Sequence, residues 1–304
     1  MEITGAPGCW GVEDCNNPYN PNWKKVLNEA SRAGYSGLEL GPYGYMPLDA
    51  NILDEELKKR NLKIVAGTMY DDLSSFDNFD YLIEKTKKIC KLLSKLEKEN
   101  IKKELKYNPP YLVVIDEVNP SRSKTSGLSN EAIRLDDKKW KRMMYNISEI
   151  SKIANSYGVR AVLHPHAGGH IEFADEIDRA AKDLNNELIG FCLDTGHLYY
   201  SGMNPIEWLE KYYERLDYIH FKDINKEIYD IETKKHTGFF ESCALGVMCP
   251  IGKGILSYSQ IYKFLKEKNY KGYITIEQER DPRNSDTSFQ DVKESIDYLK
   301  KIGF

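Results

Sequence analysis

The sequence predicts an α/β protein, a closed (β/α)8 barrel, and three observations carry that expectation. Eight short apolar runs alternate with longer amphipathic stretches along the chain. The runs are continuous rather than alternating, as in Tyr-Leu-Val-Val-Ile at 111–115, which suits a parallel sheet buried on both faces. No GxGxxG turn follows the first run and no Walker sequence is present, so an open nucleotide-binding sheet lacks its phosphate-binding turn.

The strands are expected at Gly8–Val12, Gly37–Leu40, Lys63–Gly67, Tyr111–Ile115, Arg160–Leu163, Gly190–Leu193, Tyr218–Phe221 and Tyr273–Ile276. Helices are expected between them, at Trp23–Ala33, Tyr81–Leu105, Lys138–Tyr157, Ala174–Leu184, Pro205–Arg215, Tyr258–Glu267 and Phe289–Lys300. Asn204-Pro205 punctuates one start, and Ala33-Gly34 and Tyr157-Gly158 punctuate two ends. Segments 119–136 and 222–254 have no helical period and are expected to be long functional loops. With no low-complexity linker, the 304 residues are expected to form a single domain, 1–304.

Composition narrows the function. The chain is 41% hydrophobic and 30% charged, with a net charge of −4, so no basic field is available to hold a nucleic-acid backbone. No apolar run is long enough to span a bilayer. The first residues, Met-Glu-Ile-Thr-Gly, lack the basic and apolar stretches of a signal peptide, so a cytoplasmic location is expected. Six cysteines without a CxxC pair read as reduced, mostly buried thiols.

Active sites of such barrels lie at the carboxyl ends of the strands. The residues there are Glu39, Asp116-Glu117, His164-Pro165-His166, Asp194-Thr195-Gly196-His197, His220-Phe221-Lys222-Asp223 and Glu277-Gln278-Glu279. Four of the six histidines fall at three of these ends. Imidazoles and carboxylates gathered at one rim suit a divalent metal: manganese, cobalt or zinc, with magnesium a further candidate. For a single residue the alternative is a plain hydrogen bond to a loop; Asp194, His220 and Glu277 on consecutive strands make that the weaker reading.

Leu-Asp-Thr-Gly-His (193–197), His-Phe-Lys-Asp (220–223) and Ile-Glu-Gln-Glu (276–279) resemble the xylose-isomerase-like barrel superfamily of sugar isomerases, epimerases, inosose dehydratases and endonuclease IV. Gly-Leu-Glu-Leu-Gly-Pro-Tyr-Gly-Tyr-Met-Pro (37–47), His-Pro-His-Ala-Gly-Gly (164–169) and Asp-Thr-Gly-His-Leu-Tyr-Tyr-Ser-Gly (194–202) look like its inosose dehydratase branch. The resemblance implies Asp194, His220 and Glu277 as metal ligands. The family's fourth ligand is a glutamate at the end of strand five, where this sequence has His164. Either His164 binds the metal itself or a nearby carboxylate, Glu117, replaces it. The change also removes one of the two carboxylate bases of the ketose epimerases.

A metal of this kind would polarise a substrate carbonyl and stabilise the enediolate formed when the α-proton leaves. Histidines near neutral pKa could take that proton or return it to a departing β-hydroxyl. The expected activity is dehydration of a 2-keto polyol, with scyllo-inosose the substrate the resemblance implies. Isomerisation or epimerisation of a ketose shares the first half of that chemistry. Further alternatives are a lyase on a 3-keto glycoside and a non-catalytic sugar-binding barrel. A nuclease would need histidines on strands two and three that are absent.

His166, His164 and Lys222 are the candidates for proton transfer or oxyanion stabilisation, although Lys222 could instead face a helix or the surface. Trp10, Glu39, Tyr45, His197 and Glu279 are the candidates for substrate contact, with His197 equally suited to orienting Asp194. The expected partner is a cyclitol or sugar, and the resemblance implies a homo-oligomer.

Overall fold

A computed structural model describes residues 1–97 and 102–304. Eight parallel strands close into a barrel: β1 (Glu2–Gly5), β2 (Leu38–Glu39), β3 (Ile64–Asp71), β4 (Tyr111–Asp116), β5 (Arg160–Leu163), β6 (Ile189–Asp194), β7 (Leu216–Phe221) and β10 (Tyr273–Ile276). Two short antiparallel strands, β8 (Asp223–Ile224) and β9 (Met248–Cys249), form a ribbon beyond β7. The closed barrel agrees with the expectation from sequence.

Both faces of the strands are buried, which explains the continuous apolar runs. Along β4, Tyr111, Val113 and Ile115 turn into the barrel interior with Val162, Cys192, Tyr218 and Tyr273. Leu112 and Val114 turn outward into the larger layer between sheet and helices. The interior is closed off below the site by Tyr111 stacked on Tyr218, with ring centroids 5.0 Å apart, and by Thr4 hydrogen-bonded to Thr275 at 2.6 Å.

The helices at Trp23–Ala33 and Tyr258–Glu267 lie where the periodicity places them. Asp136 and Asn204 accept backbone N–H groups at the starts of the helices Asp137–Ser156 and Pro205–Lys211, each cap stabilising by about 1 kcal/mol. The helix expected at Tyr81–Leu105 runs from Phe79 to Lys95; residues 98–101 of that span lie outside the described residues.

Two expectations are corrected. The first strand is Glu2–Gly5, not Gly8–Val12: Glu2 to Gly5 register with Tyr273 to Ile276, whereas Pro7, which has no N–H to give a ladder, opens a 3-10 helix over Pro7–Trp10. Segment 222–254 is not an irregular loop. It carries the ribbon and the helices Lys226–Lys234 and Phe239–Ala244. In segment 119–136 a one-turn helix, Pro120–Ser123, is present.

Candidate active site

The carboxyl ends of β1, β2, β3, β4, β5 and β10 line a cavity of about 460 Å³. Glu13, Glu39, Thr68, Tyr70, His164, His166, Glu277 and Glu279 line its inner part. Asp194 and His220 are register partners on β6 and β7, which sets their side chains beside each other just behind that wall.

Backbone and carboxylate partners decide which nitrogen of each histidine is free. His164 Nδ1 lies 3.1 Å from the Cys192 carbonyl. A carbonyl only accepts, so Nδ1 carries the proton and Nε2 presents a lone pair. That Nε2 is buried without a hydrogen-bond partner. Burial, then the charges of His220 and Lys222, hold the His164 pKa well below its ordinary value, which keeps the ring neutral. His220 donates from Nε2 to Glu39 Oε1 at 2.7 Å and turns Nδ1 to Glu277 Oε2 at 3.0 Å and Asp194 Oδ2 at 3.9 Å. Burial opposes its charge, yet Cys192, Glu39 and Glu277 hold its pKa well above the ordinary value, so Nδ1 carries a proton that a metal would displace.

Ligand atoms of His164, Asp194, His220 and Glu277 all lie within 4.8 Å of one another. His164 Nε2, buried without a partner, together with His220 Nδ1 and the two carboxylates beside them, makes a set of two nitrogens and two oxygens that fits a divalent ion. Of the two candidates for the fourth position, His164 belongs to this group. Glu117 does not: it lies among Asp71, Asp72 and Asp116, and its pKa is raised by burial and then by those charges.

A second group, His166, His197 and Glu279, stands beside the first. His166 donates from Nδ1 to the Ala167 carbonyl at 2.9 Å, so its Nε2 lone pair is free, 3.7 Å from Glu279 Oε1. His197 is pinned the opposite way. Its Nδ1 accepts the Ala167 N–H at 3.3 Å, so Nε2 carries the proton and points at Glu279 Oε1, 3.3 Å away. A metal at His197 Nε2 would need that nitrogen bare, so this trio is a set of close polar contacts around Glu279 rather than an ion site. Burial, followed by the charges of His166 and Lys222, takes the His197 pKa down to about 4.

Lys222 joins the two groups. Its side chain is fully buried, and Nζ donates to Asp194 Oδ2 at 2.8 Å, approaches Glu279 Oε1 at 3.2 Å and contacts Glu277 Oε2. Gly196 makes room for it, since a Cβ there would stand 2.4 Å from Lys222 Cβ. With three carboxylates around Nζ and no face on the cavity, Lys222 is not placed for the proton transfer expected of it.

Other expected substrate contacts are corrected. Trp10 is wholly buried, donates its indole N–H to Glu29 at 2.7 Å and does not reach the cavity. Tyr45 donates its hydroxyl to the Pro21 carbonyl; the cavity is lined instead by Tyr43. Glu39 touches the cavity, but its Oε1 already accepts from His220 and from the Tyr218 hydroxyl at 2.9 Å. His197 stands behind Glu279, which does face the cavity. Sequence reasoning missed Glu13, Thr68 and Tyr70. Glu13 directly follows the expected strand Gly8–Val12, so the strand-end rule applied there would have found it; Thr68 and Tyr70 lie on β3, which runs four residues beyond its expected end.

Fold and site together define a class. The family model for the xylose isomerase-like TIM barrel matches residues 27–302, and the chain belongs to that family. It is 28% identical over 303 residues to an inosose dehydratase of Clostridium beijerinckii, covering 98% of this chain and 96% of that protein. It is 26% identical to an inosose dehydratase of Salmonella typhimurium, covering 97% and 95%. In fold it is similar to the probable 3-DHS dehydratase AsbF of Bacillus anthracis (TM-score 0.72, 15% identity, 99% of each chain). It is also similar to the IolI protein with a bound zinc atom (TM-score 0.70, 17% identity, 99% of each chain). These relatives and neighbours include lyases and epimerases, and this chain is an enzyme of the same family. Among the described residues no helix is long and apolar enough to cross a membrane.

Proposed function

We propose that the protein is a metal-dependent lyase that removes water from a neutral keto polyol of the inosose type. The observation that carries this reading is the division of labour among the histidines. His164 and His220 turn the nitrogens not engaged by Cys192 and Glu39 toward Asp194 and Glu277, while His166, outside that four-donor group, keeps a bare Nε2 at the cavity wall beside Glu279. The similarity to inosose dehydratases over nearly the whole chain supplies the substrate class.

His164, Asp194, His220 and Glu277 would hold the ion; two nitrogens and two oxygens favour zinc, cobalt or manganese over magnesium. A divalent ion supplies polarisation of the substrate carbonyl, which acidifies the adjacent C–H. His166 Nε2 takes that proton, and Glu279 stabilises the imidazolium. The same Nε2–H then protonates the β-hydroxyl, which departs as water and returns His166 to its neutral form. Glu39 holds His220 in the tautomer that frees Nδ1, and Lys222 and His197 hold Glu279. The inner wall is acidic, with Glu13, Glu39, Glu277 and Glu279, and the lysines of the cavity, Lys85 and Lys88, belong to the outer helix. Such a wall disfavours phosphorylated or carboxylated substrates.

The test is incubation of zinc-, cobalt- or manganese-reconstituted protein with scyllo-inosose in D₂O, followed by NMR and ultraviolet absorbance, with His220→Ala as control. Loss of water with growth of a diketone or enone chromophore supports the dehydratase. Deuterium entering the α-carbon without loss of water would make it an isomerase or epimerase instead. Absence of exchange in the loaded protein would overturn the inosose assignment.

A further inference from the structure

Asp194 has a single carboxylate oxygen to spare. Its Oδ1 accepts the backbone N–H groups of Gly196 and His197, at 2.7 and 2.9 Å, and so caps the helix Thr195–Tyr200. Only Oδ2 remains, and it both takes the Lys222 ammonium at 2.8 Å and faces His220 Nδ1 at 3.9 Å. Glu277 Oε2 is shared in the same way, between Lys222 and His220 Nδ1. An ion held by His164, Asp194, His220 and Glu277 would therefore draw on Asp194 Oδ2, which Lys222 already uses, and on the Glu277 carboxylate, which Lys222 also contacts.

Lys222 has little freedom to step aside. Its backbone N–H donates to Thr195 Oγ1 at 3.1 Å, and its carbonyl accepts from Thr195 Oγ1 at 3.2 Å and from the Tyr258 hydroxyl at 2.7 Å. The Gly196 backbone closes on its Cβ. Its remaining anchor, Glu279, belongs to the His166–His197 group.

Resting on the metal reading above, we infer that Lys222 is a built-in competing cation: it weakens divalent-metal binding at the shared oxygens of Asp194 and Glu277 and ties that pair to Glu279. Two opposing effects decide the sign. The ammonium preorganises the carboxylates, which helps an ion bind. It also places a positive charge about one hydrogen bond away from the oxygens the ion uses, in a buried setting where like charges repel strongly. The repulsion is the larger, because Asp194 and Glu277 keep other supports: the backbone N–H groups on Asp194 Oδ1, and strand β10 leading into Glu277.

The test compares wild type with Lys222→Met and Lys222→Gln, by zinc titration against a competing chelator and by thermal melting with and without zinc. Both variants lack the charge, and Gln keeps a donor. The expectation is zinc dissociation constants at least about tenfold lower than wild type in both variants, lower melting temperatures without zinc, and a larger rise on adding it. Should a variant not purify without metal, its release of zinc to chelator is expected to be slower than that of the wild type, and release as fast as or faster than the wild type overturns the inference. Unchanged or weaker zinc binding in the variants overturns the inference while leaving the metal site standing. Tightening in Met but not in Gln overturns charge as its cause. A wild-type titration without binding overturns the metal reading and, with it, this inference.

Discussion

Replacing Glu39 by Gln separates a residue that touches substrate from one that acts through the metal ligands. Glu39 is 2% exposed, and its Oε1 accepts two hydrogen bonds, from His220 Nε2 at 2.7 Å and from the Tyr218 hydroxyl at 2.9 Å. Gln keeps the shape and one acceptor oxygen but loses the charge that makes His220 Nδ1 a strong donor toward a metal. Loss of such a carboxylate behind a ligating histidine weakens metal binding by about 10- to 100-fold, or about 1.4–2.7 kcal/mol. Both donors retain an acceptor, so folding stability in the absence of metal should change by no more than about 1 kcal/mol. The assay is zinc titration against a chelator, together with kcat and KM at saturating zinc. The expected result is weaker metal binding with KM close to wild type. An unchanged zinc affinity with a KM raised tenfold or more would refute the reasoning and make Glu39 a substrate contact.

Three further outcomes follow from the geometry. His166→Gln should lower kcat by about 10²–10⁴ while leaving zinc affinity unchanged, because the base lies outside the four-donor group; steady-state kinetics and titration check it. Trp10→Phe removes the indole hydrogen bond to Glu29 and should cost about 1–3 kcal/mol, read as a lower melting temperature, with KM unmoved because Trp10 does not reach the cavity. Stability should fall as pH is lowered from about 6.5 to about 4, the window in which the unfolded chain protonates His197 and the folded protein resists it. From its ordinary 6.5 to about 4 in the fold, this one ring accounts for about 3 kcal/mol. Urea unfolding at pH 7 and pH 4 should show a smaller difference in His197→Gln than in wild type.

How much of this was legible in the sequence depended on whether the deciding partner was local. The strands β4 to β7 and β10 read cleanly because burial on both faces leaves continuous apolar runs, and their ends led to His164, Asp194, His220 and Glu277. The first strand did not: Glu2-Ile3-Thr4-Gly5 is short and polar at its start, and its place is set by Tyr273–Ile276, some 270 residues away in the chain. Side-chain direction beyond the strand ends was equally hidden. Lys222 and Trp10 stand at plausible positions, yet one is drawn into three carboxylates and the other toward Glu29. The fourth-ligand question was open in the sequence because both His164 and Glu117 end strands; the direction of each side chain, fixed by packing, separates them.

The four histidines of the site show why residue type alone underdetermines its chemistry. Ala167 contacts two of them through the two peptide groups that flank it: its carbonyl accepts from His166 and its N–H donates to His197. Two consecutive peptides thus assign opposite tautomers to neighbouring rings, making His166 Nε2 an acceptor and His197 Nε2 a donor. The Cys192 carbonyl frees His164 Nε2, and Glu39 engages His220 Nε2, so that Nδ1 is the nitrogen left for an ion. Turning over the Ala167–Gly168 peptide alone would take the acceptor away from His166 Nδ1 and with it the reason that His166 Nε2 is bare, without altering a single side chain. The base of the proposed elimination is therefore chosen by a backbone orientation in the loop after β5. That loop is held in turn by Glu172, which accepts the Gly168 N–H at 2.9 Å and pairs with the buried Arg122 at 3.2 Å. This gives a buried ion pair that never reaches the cavity a definite part in setting which nitrogen does so.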